Sequence, residues 1–197
     1  YQGLEHEIEY NLQLLSLVGA KTKDKTLLLK RDDTIIDELF KGTKICDSDN
    51  NLVAIHPWTS DKIKQWPVGN FKRLAQRLVE ESGRRVIIIG GHEELNKSQE
   101  WFSGLGEGIV NLTGKTNLNQ LAALLKKCGL LISGDSGPVH LASCVGIPVV
   151  AIFRNDIPAK GAIRWGPTSK GSVVLEKSSL PDITVEEVFL KAQGLLK

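Results

Sequence analysis

Short apolar segments alternate with amphipathic segments along most of this chain. The apolar segments are rich in branched side chains and are bounded by glycine or polar residues, which is typical of buried strands. They predict strands at residues 52–56, 85–89, 109–111, 130–132, 148–153 and 173–175. The amphipathic segments repeat apolar residues every three or four positions and predict helices at residues 68–82, 93–102, 117–127, 135–144 and from 184 to the end. Strand and helix therefore alternate with short connections, which predicts an α/β fold with a parallel sheet covered by helices on both faces.

The first 50 residues follow a different pattern. Residues 1–18 carry apolar side chains at helical spacing and end before Gly19, which predicts an amphipathic helix. A short strand at residues 27–29 and a helix at 34–40, begun by Asp32 or Asp33 and ended near Gly42, are also expected. We predict a connector helix and linker over residues 1–50 and one domain over residues 51–197. An ordinary edge helix is the alternative for the first segment.

Composition narrows the function classes. Hydrophobic residues make up 41% of the 197, which is enough for a core, and the net charge of +2 argues against a strongly electrostatic nucleic-acid binder. The three cysteines are widely spaced and form no CxxC pair, which argues against a metal site or a disulfide framework and suits a reducing compartment. There is no run of membrane-spanning length and no signal peptide. Because the chain begins at Tyr1 and has no methionine, we expect it to be a fragment of a longer protein.

The most informative segment runs from the strand at residues 130–132 into the following helix. Asp135, Ser136, Gly137 and Pro138 form a helix start, with a capping side chain and a proline in the first turn. A helix N-terminus suits a phosphate group, Gly137 lets a ligand approach the backbone, and Asp135 lies at the carboxyl end of the strand, where such sheets bind ligands. The segment is interpreted either as a diphosphate pocket or as a capped core helix that binds nothing.

The loops after the first four strands lie at one edge of a parallel sheet, so their side chains can be considered together. Three lysines could neutralise the phosphates of a nucleotide: Lys62, Lys64 and Lys115. Hydroxyl donors occur at Thr59, Ser60 and Ser136, and Glu94 supplies a carboxylate suited to the ribose. The backbone of residues 113–116, with Thr116 at its end, can meet a base edge. Each residue alone can equally be a solvated loop side chain; His140, inside the helix, can face a ligand or pack in the core.

Other ligand-binding and catalytic motifs do not fit. The P-loop pattern GxxxxGK[ST] and the hydrolase pattern GxSxG are absent. Residues 104–108 match the dinucleotide pattern GxGxxG only loosely, because the last glycine is misplaced and no strand precedes them, so we interpret them as a flexible turn.

Three motifs resemble those of glycosyltransferase family 9, which contains the lipopolysaccharide heptosyltransferases that use ADP-heptose. Residues 135–142 (DSGPVHLA) followed by 146–153 (GIPVVAIF) are similar to the signature of that family. Residues 56–57 (HP) with 64–67 (KQWP), and residues 88–94 (IIGGHEE), resemble its two earlier loops. Residues 1–19 also resemble the helix and linker that precede this half of the family's chains.

The resemblance implies a GT-B architecture, in which two Rossmann-like domains enclose the active site. This chain corresponds to the C-terminal, nucleotide-sugar-binding half, and the catalytic base is expected in an N-terminal domain that it lacks. By similarity, Lys64, with Thr59 and Ser60, contacts the donor phosphates, and the N–H groups of Ser136 and Gly137 also bind phosphate. Glu94 is expected to contact the ribose, and Asp135 to face the donor sugar. His140 is expected to line the same pocket.

The implied reaction is inverting transfer of a heptose or related sugar from an ADP-sugar to a lipopolysaccharide-type acceptor. The intact enzyme is expected in the cytoplasm, with peripheral association at the inner face of the bacterial inner membrane as a further option. We expect a nucleotide sugar as substrate, a glycolipid acceptor bound by the other half, and no metal, separate cofactor or nucleic acid. The chain departs from the family pattern at Trp58 and at residues 154–156, near the expected position of the sugar.

Two other functions stay open at this stage. The first is another GT-B enzyme, such as a protein similar to UDP-sugar epimerases. The second is a nucleotide-binding Rossmann domain without transfer chemistry.

Overall fold

A computed structural model describes residues 4–22, 24–25, 27, 29, 33–41, 43, 45 and 51–196. The strands are β1 (Leu52–His56), β2 (Arg85–Ile88), β3 (Ile109–Asn111), β4 (Leu130–Gly134), β5 (Val149–Arg154) and β6 (Val173–Lys177). The helices are α1 (Glu7–Ser16), α2 (Ile36–Phe40), α3 (Val68–Glu80), α4 (Leu95–Phe102), α5 (Leu118–Lys127), α6 (Gly137–Val145), α7 (Ala162–Trp165) and α8 (Val185–Leu195). Short 3₁₀ turns occupy Asp33–Ile35, Lys62–Lys64, His92–Glu94 and Leu180–Asp182.

The strands form one six-stranded sheet in the order β3-β2-β1-β4-β5-β6, and every neighbouring pair is parallel. The chain builds outward from β1 to β3 and then returns to the other side of β1 for β4. The connections after β1 and β4 consequently leave in opposite directions, and a crevice opens between them. Open α/β sheets bind their ligands at such a switch point, outside the carboxyl ends of the strands. The predicted Rossmann-like α/β class is confirmed.

Both faces of the sheet are buried, as the apolar strands predicted. Along β1, Leu52 and Ala54 pack on one side, whereas Val53 and Ile55 pack on the other. The first side is covered by α2, α5 and α6, and the second by α3, α4 and α8. Burying each large aliphatic side chain stabilises the fold by roughly 1.5–3 kcal/mol, so this double layer fixes the strand ends rigidly.

The structure refines several sequence predictions near the N-terminus. The first helix is confirmed over Glu7–Ser16, and the predicted helix at 34–40 is divided into a 3₁₀ turn and α2. Leu27 and Leu29 are not in a strand, and Leu28, Asp32, Gly42 and Cys46 lie outside the described residues. The short helix α7 was not predicted, since it follows a polar loop without apolar periodicity. The domain boundary at residue 50 stays a prediction.

Helix α1 contacts helix α7 and the loop after it through its beginning. The His6 ring lies 3.0 Å from the Gly166 carbonyl through Nε2, and Glu7 pairs with Arg164 at 2.8 Å. None of its residues is buried, and Leu14 remains exposed. No helix in the described ranges combines the length and the apolar character needed to cross a bilayer.

Candidate functional site

A cavity of about 520 Å³ lies at the switch point of the sheet. Its wall is formed by the loops that follow β1, β2, β3 and β4, the four loops that the sequence analysis brought together. The lining residues are His56, Trp58, Thr59, Ser60, Gly90, Gly91, Glu93, Glu94, Thr116, Asn117, Leu118, Leu121, Asp135, Ser136, Gly137 and Pro138. Seven of the nine predicted donor-binding residues are among them, and Lys64 and His140 are not.

The loop after β1 is fixed by two anchors beside Lys64. The Gln65 amide donates to the carbonyl of Pro57 at 2.6 Å, which closes the loop on itself. Trp66 is fully buried, packs edge-to-face on Phe71 and donates its indole N–H to the Ile183 carbonyl at 2.9 Å. These contacts anchor the backbone next to Lys64, whose side chain reaches the lining residue Asp135.

Lys64 forms an ion pair with Asp135, which lies just beyond the end of β4. Their side chains are only 21% and 10% exposed, so water screens the attraction weakly. Among the described groups, none donates a well-oriented hydrogen bond to the buried Oδ2 of Asp135. The contact between Lys64 and Asp135 is therefore ionic and is not a directed hydrogen bond.

The N-terminus of α6 corrects one prediction, because no side chain caps it. Ser136 is the N-cap residue, but its hydroxyl makes no capping hydrogen bond, and Asp135 is engaged by Lys64. A Cβ on Gly137 would meet no protein atom within 4 Å, so the space beside this residue is open. An uncapped helix start beside open space leaves partly positive N–H groups available to an anion.

The Ser136 hydroxyl lies within hydrogen-bond distance of other groups in the wall of the cavity. It lies 3.0 Å from Nδ1 of His56 and 2.8 Å from the hydroxyl of Ser133, and it also approaches the Gly134 carbonyl at 3.3 Å. Ser133 is fully buried and lies 3.3 Å from the same Nδ1. Burial lowers the pKa of His56 to about 4, so the imidazole is neutral at pH 7. His56 was not predicted as a site residue from the sequence, although its place at the end of β1 was an available signal.

Glu94 lies on the opposite side of the cavity. Its carboxylate accepts a hydrogen bond from the Gly91 N–H at 2.7 Å. Desolvation raises the pKa of Glu94, and the neighbouring charge of Glu93 acts in the same direction. The next loop is joined to this one, because the Gly114 N–H donates to the Gly90 carbonyl at 3.0 Å. One carboxylate oxygen of Glu94 therefore fixes its own turn, and the other can face a ligand.

Trp58 forms part of the cavity wall and is itself buried, with 5% of its surface exposed. Its indole N–H donates to the Ile89 carbonyl at 3.0 Å, and its ring stacks on Trp101 with centroids 5.3 Å apart. A Cβ on Gly90 would lie 2.5 Å from Trp58 Nε1. The tryptophan consequently requires glycine at position 90, and it serves as a rigid wall.

The remaining candidate residues lie away from the lining. His140 is half-buried and meets Trp165 edge-to-face at 6.1 Å; burial lowers its pKa, and the charge of His6 adds to this effect. Lys62 and Lys115 are exposed and do not line the cavity. Among the described residues, no three His, Cys, Asp or Glu side chains are grouped so that they could hold a metal ion.

The sheet order and the position of the cavity define a Rossmann-like domain with a ligand cleft at its switch point. The profile of glycosyltransferase family 9 (heptosyltransferase) matches residues 4–192, and the chain belongs to this family. The resemblance stated from the three motifs is confirmed.

Curated relatives are lipopolysaccharide heptosyltransferases. The chain is 46% identical over 128 residues to the lipopolysaccharide core heptosyltransferase OpsX of Haemophilus influenzae, an alignment that covers 64% of this chain and 37% of the relative. It is 27% identical over 154 residues to lipopolysaccharide heptosyltransferase 2 of Salmonella typhimurium, which covers 68% and 43%. The chain therefore spans less than half the length of these relatives.

Solved structures show the same fold. A glycosyl transferase family 9 protein from Veillonella parvula superposes with a TM-score of 0.85 at 23% identity, over 98% of this chain and 60% of the other. The Escherichia coli heptosyltransferase WaaC with ADP gives a TM-score of 0.73 at 18% identity, over 98% and 57%. At these identities the likeness concerns the fold alone.

Proposed function

We propose that this chain is the donor-binding half of a GT-B glycosyltransferase and that its cavity binds a nucleoside diphosphate sugar. The observation that carries the proposal is the uncapped N-terminus of α6, which opens beside Gly137 into a cavity whose lining residue Asp135 is paired with Lys64. Helix N–H groups and a lysine are the donors that a diphosphate requires. Membership of the family supports a sugar nucleotide over other diphosphates.

The lining residues suggest how each part of the ligand binds. The diphosphate lies against Ser136, Gly137 and Lys64, whose N–H groups and charge neutralise it. The ribose hydroxyls donate to the Glu94 carboxylate, and the base packs over the apolar surface of Leu118 and Leu121, which face the same cavity. This order places the sugar beyond the diphosphate, at the Asp135 carboxylate.

We propose further that the intact enzyme transfers a heptose from an ADP-sugar to a lipopolysaccharide-type glycolipid with inversion at the anomeric carbon. A general base removes the proton of the acceptor hydroxyl, and the oxygen attacks the anomeric carbon from the face opposite the diphosphate. Lys64 and the α6 N-terminus stabilise the negative charge that develops on the departing diphosphate. The base and the acceptor site are proposed to lie outside these 197 residues, and the nucleotide sugar is proposed to bind without a separate cofactor.

Isothermal titration calorimetry with ADP and UDP tests the donor assignment. We expect ADP to bind more tightly, and Lys64→Ala to weaken it about 10-fold or more, because a charge-assisted contact contributes about 1.5–3 kcal/mol. Lys62→Ala is the matched control, since Lys62 is in the same 3₁₀ turn but exposed and outside the cavity lining. Equal losses in the two variants would show that the effect is general electrostatics and would contradict the proposed phosphate site.

The two alternatives from the sequence make different predictions in the same experiments. A clear preference for UDP would favour a protein similar to UDP-sugar epimerases; the UDP-GlcNAc 2-epimerase of Neisseria meningitidis shares the fold with a TM-score of 0.56 at 16% identity. Unchanged ADP affinity in Lys64→Ala would favour a Rossmann domain whose site differs from the one proposed. Sugar transfer by the isolated 197 residues would contradict the placement of the base outside them.

A further inference from the structure

His56 has two ring nitrogens in different situations. Nδ1 faces the protein and lies within hydrogen-bond distance of the hydroxyls of Ser133 and Ser136, at 3.3 and 3.0 Å. Nε2 has no hydrogen-bond partner among the described groups, and this atom is not fully buried. The residue is only 8% exposed, yet it lines the cavity. The ring thus connects a polar network in the wall to the space that a ligand occupies.

The network allows the ring proton to lie on the outer nitrogen, Nε2. A neutral imidazole has one N–H donor and one acceptor nitrogen, and the hydrogen bond made by one nitrogen fixes the state of the other. The Ser133 hydroxyl donates to the Gly134 carbonyl at 3.0 Å, and the Ser136 hydroxyl can donate its proton to Nδ1 at 3.0 Å. With Nδ1 as acceptor, the ring proton lies on Nε2.

We propose that His56 is a ligand-binding residue of this site, which donates its Nε2–H to a phosphate oxygen of the bound nucleotide sugar. The proposal rests on the proposed function, because it needs an anion in the cavity. The phosphate is favoured over the base or the ribose because His56 contacts Ser136, the N-cap residue of α6, where the diphosphate is placed. The helix N-terminus and Lys64 already supply positive charge at this place. The neutral ring adds a directed hydrogen-bond donor and no further charge.

Binding of an anion to Nε2–H has a measurable electrostatic consequence. Burial lowers the pKa of His56 to about 4. The charged side chains that line the same cavity are Glu93, Glu94 and Asp135, the last paired with Lys64. A bound diphosphate adds negative charge next to the ring and favours its protonated form, so the pKa of His56 rises when ADP binds.

Two substitutions separate ligand binding from support of the wall. His56→Gln places an amide N–H donor at the position of Nε2, whereas His56→Asn keeps an acceptor at the position of Nδ1 and loses the outer donor. By ADP titration we expect His56→Asn to bind about 10-fold more weakly and His56→Gln to recover to within about threefold of wild type. Wild-type affinity in His56→Asn, or equal losses in both variants, would overturn the proposal.

The wild-type chain provides a second test that does not depend on the folding of variants. The chain has four histidines, so ¹⁵N-histidine spectra are simple to assign. We expect the Nε2–H form of His56 without ligand, and a titration midpoint that moves to higher pH with saturating ADP. A midpoint that does not move while ADP is bound would overturn the role of His56 alone, whereas absence of ADP binding to wild type would overturn the proposed function itself.

Discussion

Replacing Asp135 with asparagine is expected to strengthen the binding of ADP. Lys64 is paired with the Asp135 carboxylate, and both side chains are largely shielded from solvent. A diphosphate that recruits the lysine must compete with this carboxylate, which has the same sign of charge as the ligand. The amide of the Asp135→Asn variant would occupy nearly the same volume without the charge, so the competition would end.

The magnitude follows from the burial of the pair. Two unit charges 4 Å apart attract by about 4 kcal/mol at an effective dielectric constant of about 20. Desolvation and the residual exposure of 21% on the lysine reduce the net contribution of the pair to about 1–2 kcal/mol. If ADP binding breaks the pair, Asp135→Asn therefore binds ADP about 5- to 30-fold more tightly. An ADP-sugar is expected to gain less, because it loses a charged acceptor for its hydroxyl groups.

Calorimetric titration of ADP into wild type, Asp135→Asn, Lys64→Ala and the double variant forms a double-mutant cycle that measures the coupling. Asp156→Asn is the matched control, since its carboxylate pairs with Arg154 at the end of β5 and does not line the cavity. Unchanged or weaker ADP binding in Asp135→Asn would refute the reasoning: it would show that Lys64 binds the phosphate without leaving the carboxylate.

Further predictions concern the wall and its pH dependence. Gly90→Ala is expected to lower the free energy of unfolding by about 1–3 kcal/mol in urea titrations, because the new methyl group collides with the fixed Trp58 ring; an unchanged midpoint would show that the ring can move. Trp66→Phe is expected to cost about 1–3 kcal/mol, since the Ile183 carbonyl loses its donor, and the thermal midpoint should fall accordingly. The pKa of His56 is about 4 in the folded chain, below its ordinary 6.5. The contribution of His56 to the free energy of unfolding is therefore complete above pH 6.5. It declines as the pH falls toward 4, by at most about 1.4 kcal/mol per pH unit. Urea titrations at pH 7 and pH 5 should show a smaller loss in His56→Asn than in wild type, and equal losses would contradict this account.

The sequence was sufficient for the sheet and for much of the cavity. Strands buried on both faces have an unmistakable apolar pattern, and β1 and β3 begin and end as predicted. Because parallel strands bring their following loops to one edge, the set of loops around the cavity could be predicted without knowing the strand order. The order itself depends on which faces of distant segments pack together, and no local pattern encodes it.

Contacts between loops could not be predicted from the sequence. Ser136 has the identity and position of a helix cap, yet its hydroxyl bonds to His56, which is 80 residues earlier in the chain. Lys64 was selected as a phosphate ligand, but its pairing with Asp135 depends on the fold of two separate loops. Local preference predicts what a side chain can do; the tertiary structure decides which of several partners it takes.

The packing of Trp58 against Gly90 has an evolutionary consequence. The indole ring is fixed by its hydrogen bond to Ile89 and its stack on Trp101, so it leaves no room for a side chain at position 90. Substitution at either position changes what is permitted at the other. Homologous chains with tryptophan at position 58 are expected to retain the glycine. A small residue there removes the main clash, and the Thr113 methyl, 3.0 Å from a Cβ at position 90, then limits which side chains fit. The two positions should therefore covary in an alignment of the family.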